Sequence, residues 1–129
     1  MPYTIYDYVN FQGENEFKAW TAGLEKQHRA KLNEKLDKLM LYGDALHPEM
    51  LSGTGVAGIK KIRAKGNVQL RPLLCNGPIN IKNEYTLLMG AKEVGGKWVP
   101  KDAPSLADTK KQSVISDPNN RRVNHERVL

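Results

Sequence analysis

The spacing of apolar and polar positions changes several times along the chain, and the changes divide it into elements. Tyr3 to Val9 is dense in β-branched and aromatic residues, which predicts a first strand ended by Gln12-Gly13. Phe17, Trp20 and Leu24 recur at spacings of three and four, which predicts a helix with these side chains on one face and Gly23 at its end. Leu32, Leu36, Leu39 and Met40 form the next stripe, and Lys31, Glu34, Lys35, Asp37 and Lys38 cover the rest of the surface. That pattern predicts a helix over Ala30 to Tyr42, stopped by Gly43. Two amphipathic helices in succession predict an antiparallel hairpin with the stripes in the core. Asp44 to Gly58, broken by Pro48, Gly53, Gly55 and Gly58, reads as a loop.

Three strand-like runs follow. In Ile59 to Ala64 the apolar Ile62 alternates with Lys61 and Arg63, which places the two basic side chains on one face and Lys60 on the other. Lys65-Gly66-Asn67 reads as a hairpin turn into Val68 to Cys75, where Pro72 calls for an edge position or a bulge. Asn76-Gly77-Pro78 turns the chain again, and Asn83 to Lys92, with Tyr85, Leu87, Leu88 and Met89, reads as a buried strand. Gly95 to Pro100 is irregular. A last helix is expected from about Pro104, with Ser105 and Asp108 at capping-box spacing, ending before Asp117-Pro118. The order of elements predicts an α+β fold: a helical hairpin packed on a small, mostly antiparallel sheet, with a C-terminal helix. Residues 1–118 read as one domain, and residues 119–129 as a basic tail outside it, free to be disordered until a partner binds.

At 129 residues the chain has room for one modest core. No run approaches the apolar length that crosses a bilayer, so no membrane partner is expected. Met1 to Asn10 has no basic residue to open a secretory signal, and the lone Cys75 forms no internal disulfide. Both fit a cytoplasmic protein.

Charge changes the picture. Up to Gly58 there are six Lys/Arg against eight Asp/Glu, but from Ile59 onward there are fourteen against six. Within Ile59 to Cys75, Lys60, Lys61, Arg63, Lys65 and Arg71 meet no acid. Such a cluster attracts polyanions. The competing possibility is a solvated basic face with no partner.

Other chemistries are poorly served. His28, His47, His125 and Cys75 have no metal-site spacing, so no metal or cofactor is expected. There is no phosphate-loop lysine-serine ending and no Gly-x-Ser-x-Gly elbow. A sheet displaying Lys and Arg beside aromatic residues suits RNA, whose phosphates pair with guanidinium groups and whose bases stack on rings. RNA cleavage through the 2′-hydroxyl adds only a proton-transfer group and cations for the pentavalent phosphate.

The layout resembles the RelE/HigB superfamily of bacterial toxins, in particular its phage-derived, HigB-like branch. The resemblance covers roughly Phe17 to Val94. It is carried by Trp20 and the helix after it, Leu51-Ser52-Gly53, Ile59-Lys60-Lys61-Ile62-Arg63, Gln69-Leu70-Arg71-Pro72-Leu73-Leu74 and Tyr85-Thr86-Leu87-Leu88-Met89-Gly90-Ala91-Lys92. It implies a RelE-like fold and a ribosome-dependent mRNA endoribonuclease that works without metal and is neutralised by a cognate antitoxin. Residue by residue, it implies catalytic roles for Lys61, Arg63, Arg71 and Lys92, with Arg71 on the scissile phosphate. Trp98 falls near a base-stacking position. Lys60 and Lys65 from the basic run, and Arg121, Arg122 and His125 from the tail, complete the expected RNA contacts. The sequence departs from the family pattern where Cys75 or Leu74 stands in place of a tyrosine and Ala91-Lys92-Glu93 in place of a double basic pair. The alternative is therefore a non-catalytic RNA- or protein-binding phage accessory protein on the same fold.

Overall fold

A computed structural model of the chain describes residues 3–129. It has an α+β fold built on two sheets. The larger sheet has six strands: β1 (Thr4–Tyr8), β2 (Leu51–Gly53), β3 (Lys60–Ile62), β5 (Leu73–Asn76), β6 (Glu84–Met89) and β9 (Arg122–Asn124), in the order β2-β3-β5-β6-β1-β9. Only the β1–β6 pair is parallel. The smaller, antiparallel sheet is β4 (Gln69–Leu70), β7 (Lys92–Val94) and β8 (Lys97–Val99), in the order β4-β7-β8.

Alternation along the central strands sends side chains into two apolar clusters. Ile5, Ile62, Leu74, Tyr85 and Leu87 join Phe17 of α1 (Glu16–Ala22) and Leu32, Leu36 and Leu39 of α2 (Lys26–Tyr42). Leu73, Cys75, Leu88 and Met89 join Ala103, Ala107 and Val114 of α3 (Ala103–Ser116). Every residue of β6 is buried, as expected of a strand with neighbours on both edges and apolar side chains packed against both faces.

Several local expectations need correction. The stretch 44–58 is not all loop: a 3-10 turn, Gly43–Leu46, precedes β2, which adds an edge strand to the sheet. Val68 to Cys75 is not one strand. Arg71-Pro72 carries the chain from the small sheet to the large one, and a register shift follows at Leu73/Leu74, the irregularity that Pro72 signalled. Gly90-Ala91 makes the same crossing beside it, tied by the Arg71 amide donating to the Ala91 carbonyl at 2.8 Å. Gly95-Gly96 closes a hairpin between β7 and β8, with φ of 58° and 78°. Two consecutive positive φ values suit a two-residue turn whose twist matches its strands, and glycine adopts them without strain. The α3 cap position is Asp102, not Ser105, which lies inside the helix.

Residues 119–129 are packed rather than set apart. Pro118–Arg121 forms α4, and β9 pairs antiparallel with β1. Among the described residues no helix is long and apolar enough to cross a membrane.

Candidate nucleic-acid interface

Three of the side chains singled out in the sequence converge, and they converge on an acid. Lys61 Nζ donates to Glu93 Oε1 at 2.9 Å, and Arg71 Nε donates to the same oxygen at 2.8 Å. Lys61 also lies over the Trp98 ring, 5.3 Å from its centroid. Strand register explains the meeting. Glu93 of β7 stands opposite Gln69 of β4 and Trp98 of β8, so the three project on one face of the small sheet. Arg71 reaches that face from the crossing. Its remaining donors are held at home, NH1 by the Leu70 carbonyl at 2.8 Å and NH2 by Gln69 Oε1 at 3.0 Å.

The Arg71 side chain is only 9% exposed, against 15% for Lys61 and 23% for Glu93. Partial burial pushes the Glu93 pKa up, but the hydrogen bonds and charges of Lys61 and Arg71 outweigh it and hold the carboxyl below its ordinary value. Arg71 therefore has an internal counter-ion and a structural role. The apolar chain on either side of it gave no sign of this, because Glu93 lies 22 residues away.

Four cations without an internal counter-ion gather elsewhere. Lys31 and Lys35 of α2 face Arg63 and Lys65, which follow β3, across an open cleft of about 540 Å³, with His47 and Glu49 on its rim. Among the described residues none of the four basic side chains forms an ion pair, and Glu49 forms none either. Lys31 Nζ donates to the Lys65 carbonyl at 2.6 Å, which fastens α2 to the turn after β3. The Arg63 amide donates to the Met50 carbonyl at 2.9 Å, which fixes the other wall. Four cations against one carboxylate leave a strongly positive cleft.

Lys61 and Arg63 thus fail to share a patch. Alternation holds through Ile62, but the strand ends there, and Arg63 leaves toward the helix side. Helical spacing places Lys31 and Lys35 one turn apart, but no local pattern brings their face to the basic run.

The other expected contacts are dispersed. Lys60 pairs with Asp44 at 3.2 Å. Asp44 also accepts from the Tyr85 hydroxyl at 2.6 Å and from Asn76; burial pushes its pKa up, and these hydrogen bonds with Lys60 bring it below the ordinary value. Lys92 alternates with Glu93 on β7 and so takes the opposite face from the Glu93 cluster.

Arg121, Arg122 and His125 anchor the C-terminal segment. Arg121 stacks on Phe11, and Arg122 pairs with Glu84 and lies over Tyr6 at 3.9 Å. His125 Nδ1 is 2.8 Å from Oδ1 of the fully buried Asp7, whose other oxygen accepts from Asn15 at 2.9 Å. These groups are used internally. Compared with protein families, curated proteins and solved structures, the chain matches none, so the functional reading rests on this geometry.

Proposed function

We propose that the protein is an RNA-binding module that grips the phosphate backbone in the cleft between α2 and the turn after β3. The observation that supports this reading is the convergence of Lys31, Lys35, Arg63 and Lys65, drawn from two separate elements, on one open cleft where the single lining carboxylate, Glu49, is paired with none of them. Surface cations placed singly are ordinary; four lining one concavity focus a positive field on a bound anion. Arginine adds a planar fork suited to two phosphate oxygens, and lysine a mobile point charge. Cation contacts to phosphate carry no sequence information, so binding is expected to tolerate sequence.

A second reading keeps the RelE/HigB-like activity, cleavage of mRNA on the ribosome under control of an antitoxin. The meeting of Lys61, Arg71 and Trp98 favours it. The burial of Arg71 against Glu93 disfavours it, because the guanidinium expected on the scissile phosphate already holds a carboxylate. The test is equilibrium binding of a labelled single-stranded RNA to the parent and to Lys35→Ala/Arg63→Ala. The double variant is expected to bind weaker on every RNA sequence, with a log–log salt slope shallower by about two units. Equal affinity and slope in a folded variant would remove the cleft from the account. Cleavage of mRNA on programmed ribosomes by the parent, lost in Arg71→Ala, would favour the second reading.

A further inference from the structure

We propose that residues 118–129 exchange between two copies of this chain, so that β9 of each pairs with β1 of the other in a closed, twofold dimer. The proposal goes beyond the RNA-binding reading and does not depend on it. It rests on how the segment is attached. Among the described residues no side chain after Val114 belongs to either apolar cluster, and Val123 and Leu129 are exposed. The segment is held by strand pairing with β1 and by charged contacts: Arg122 with Glu84, His125 with Asp7, and Arg127 with Asp37. Contacts of this kind fix position closely, yet they can be remade on any copy that offers the same surface. Little apolar area meets water while the segment is loose.

The surface beneath explains why a loosened segment is replaced rather than left off. Detachment strips three carboxylates of their partners. Asp7 is fully buried and keeps only Asn15 among side chains, Glu84 is buried, and Asp37 lies at the surface. A buried carboxylate without its partner is strongly destabilising. The outer edge of β1 also becomes a row of unpaired backbone groups. The occupant that satisfies this surface is an extended strand with basic groups at the spacing of Arg122, His125 and Arg127. A second copy carries that strand by construction.

The connection allows the exchange. α3 ends at Ser116 and α4 begins at Pro118, so Asp117 alone links them. Its backbone, at φ −151° and ψ 69°, lies outside the helical region, where the following proline keeps it. Rotation at this one residue redirects everything after it and leaves α3 in place. A link this short gives the closed chain little slack, and short hinge loops invite exchange between copies. Reciprocal exchange remakes every contact of the segment, so the balance between monomer and dimer follows concentration. The dimer also carries two basic clefts, and a polynucleotide spanning both would be held by avidity.

The experiment uses the full chain. Size-exclusion chromatography with light scattering follows the mass over a wide range of concentration, before and after incubation in mild urea. Chains carrying Tyr6→Cys are mixed with chains carrying Asn124→Cys, returned to buffer and oxidised. The two positions face each other across β1–β9, within reach of a disulfide, and Cys75 is buried away from them. The double variant Tyr6→Cys/Asn124→Cys, kept dilute, should close the same disulfide within one chain, which checks the register. A further variant carries Gly-Ser-Gly-Ser inserted between Asp117 and Pro118.

The dimer fraction is expected to rise with concentration, and the mixed chains to join by an interchain disulfide. The insertion should lower the dimer fraction about threefold or more at a given concentration, because a longer link lets the segment fold back on its own chain. A chain that stays monomeric at every concentration overturns the proposal. So does a dimer in which the mixed cysteines fail to join, since it would be built on another surface. A dimer fraction that the insertion leaves unchanged also overturns it.

Discussion

Arg71→Ala separates a structural arginine from a catalytic one. The substitution removes a side chain that is 9% exposed and breaks contacts to Glu93, Leu70 and Gln69. Exposed ion pairs contribute about 0.2–1 kcal/mol, whereas breaking a buried pair costs about 3–5 kcal/mol by stranding the remaining charge. Glu93 is not stranded here, because Lys61 stays on the same oxygen at 2.9 Å. The Gln69 amide oxygen does lose its donor, the Leu70 carbonyl keeps only the Ala64 amide at 3.2 Å, and the arginine stem leaves a gap. Together these place the expected cost at about 2–3 kcal/mol. Urea unfolding of the parent and the variant measures it directly, with the slope unchanged if the cost lies in the native state. RNA affinity should fall less than about threefold, because the cleft cations are untouched. A variant within about 0.5 kcal/mol of the parent would refute the structural role. A stable variant that loses RNA affinity more than about tenfold would show that Arg71 already contacts the ligand.

Gly90→Ala should destabilise by about 1–3 kcal/mol or more, because the new Cβ would fall 1.9 Å from a Trp20 ring atom, and overpacking of that kind shifts side chain or backbone; thermal unfolding checks it. His125→Ala should cost about 1–3 kcal/mol by leaving buried Asp7 with Asn15 as its remaining side-chain partner, and hydrogen exchange in β9 should quicken, whereas a loose tail would show neither effect. Acid stability should follow Glu93. Its folded pKa lies below the ordinary 4.5, so its contribution is full above that pH and is lost as pH falls through the lower folded value. Glu93→Gln should flatten that part of a pH–stability curve, and an unchanged acid limb would contradict the assignment.

The period of the apolar residues made much of the fold legible. Phe17 and the Leu32, Leu36 and Leu39 stripe were readable as core because helical spacing reports burial directly. The buried β6 was readable from Tyr85 and the Leu87-Leu88-Met89 run, though not the burial of its Glu84 and Thr86. What escaped depends on pairings far apart in the chain. β2 is three residues long and exists because β3 offers it an edge, which composition does not reveal. The C-terminal segment looked like a polar tail because its anchors are charged. Its partners Asp7, Glu84 and Asp37 lie 118, 38 and 90 residues away.

The candidate site divided in the same way. That Lys61 and Arg71 meet was foreseeable from strand–turn–strand order. That they meet over Glu93 required the register of a second sheet. The cleft escaped because half of its cations sit on the polar side of a helix, where lysines at one-turn spacing are the usual solvated face.

The central claim, that RNA lies in the cleft between α2 and the turn after β3, is tested most directly by amide chemical-shift mapping of the isotope-labelled protein during titration with a short single-stranded RNA. The account predicts salt-sensitive shifts concentrated at Lys31, Lys35, His47, Arg63 and Lys65, with α3 and β9 unmoved. Shifts confined to α3 or to the β9 edge, or none at low salt, would contradict it.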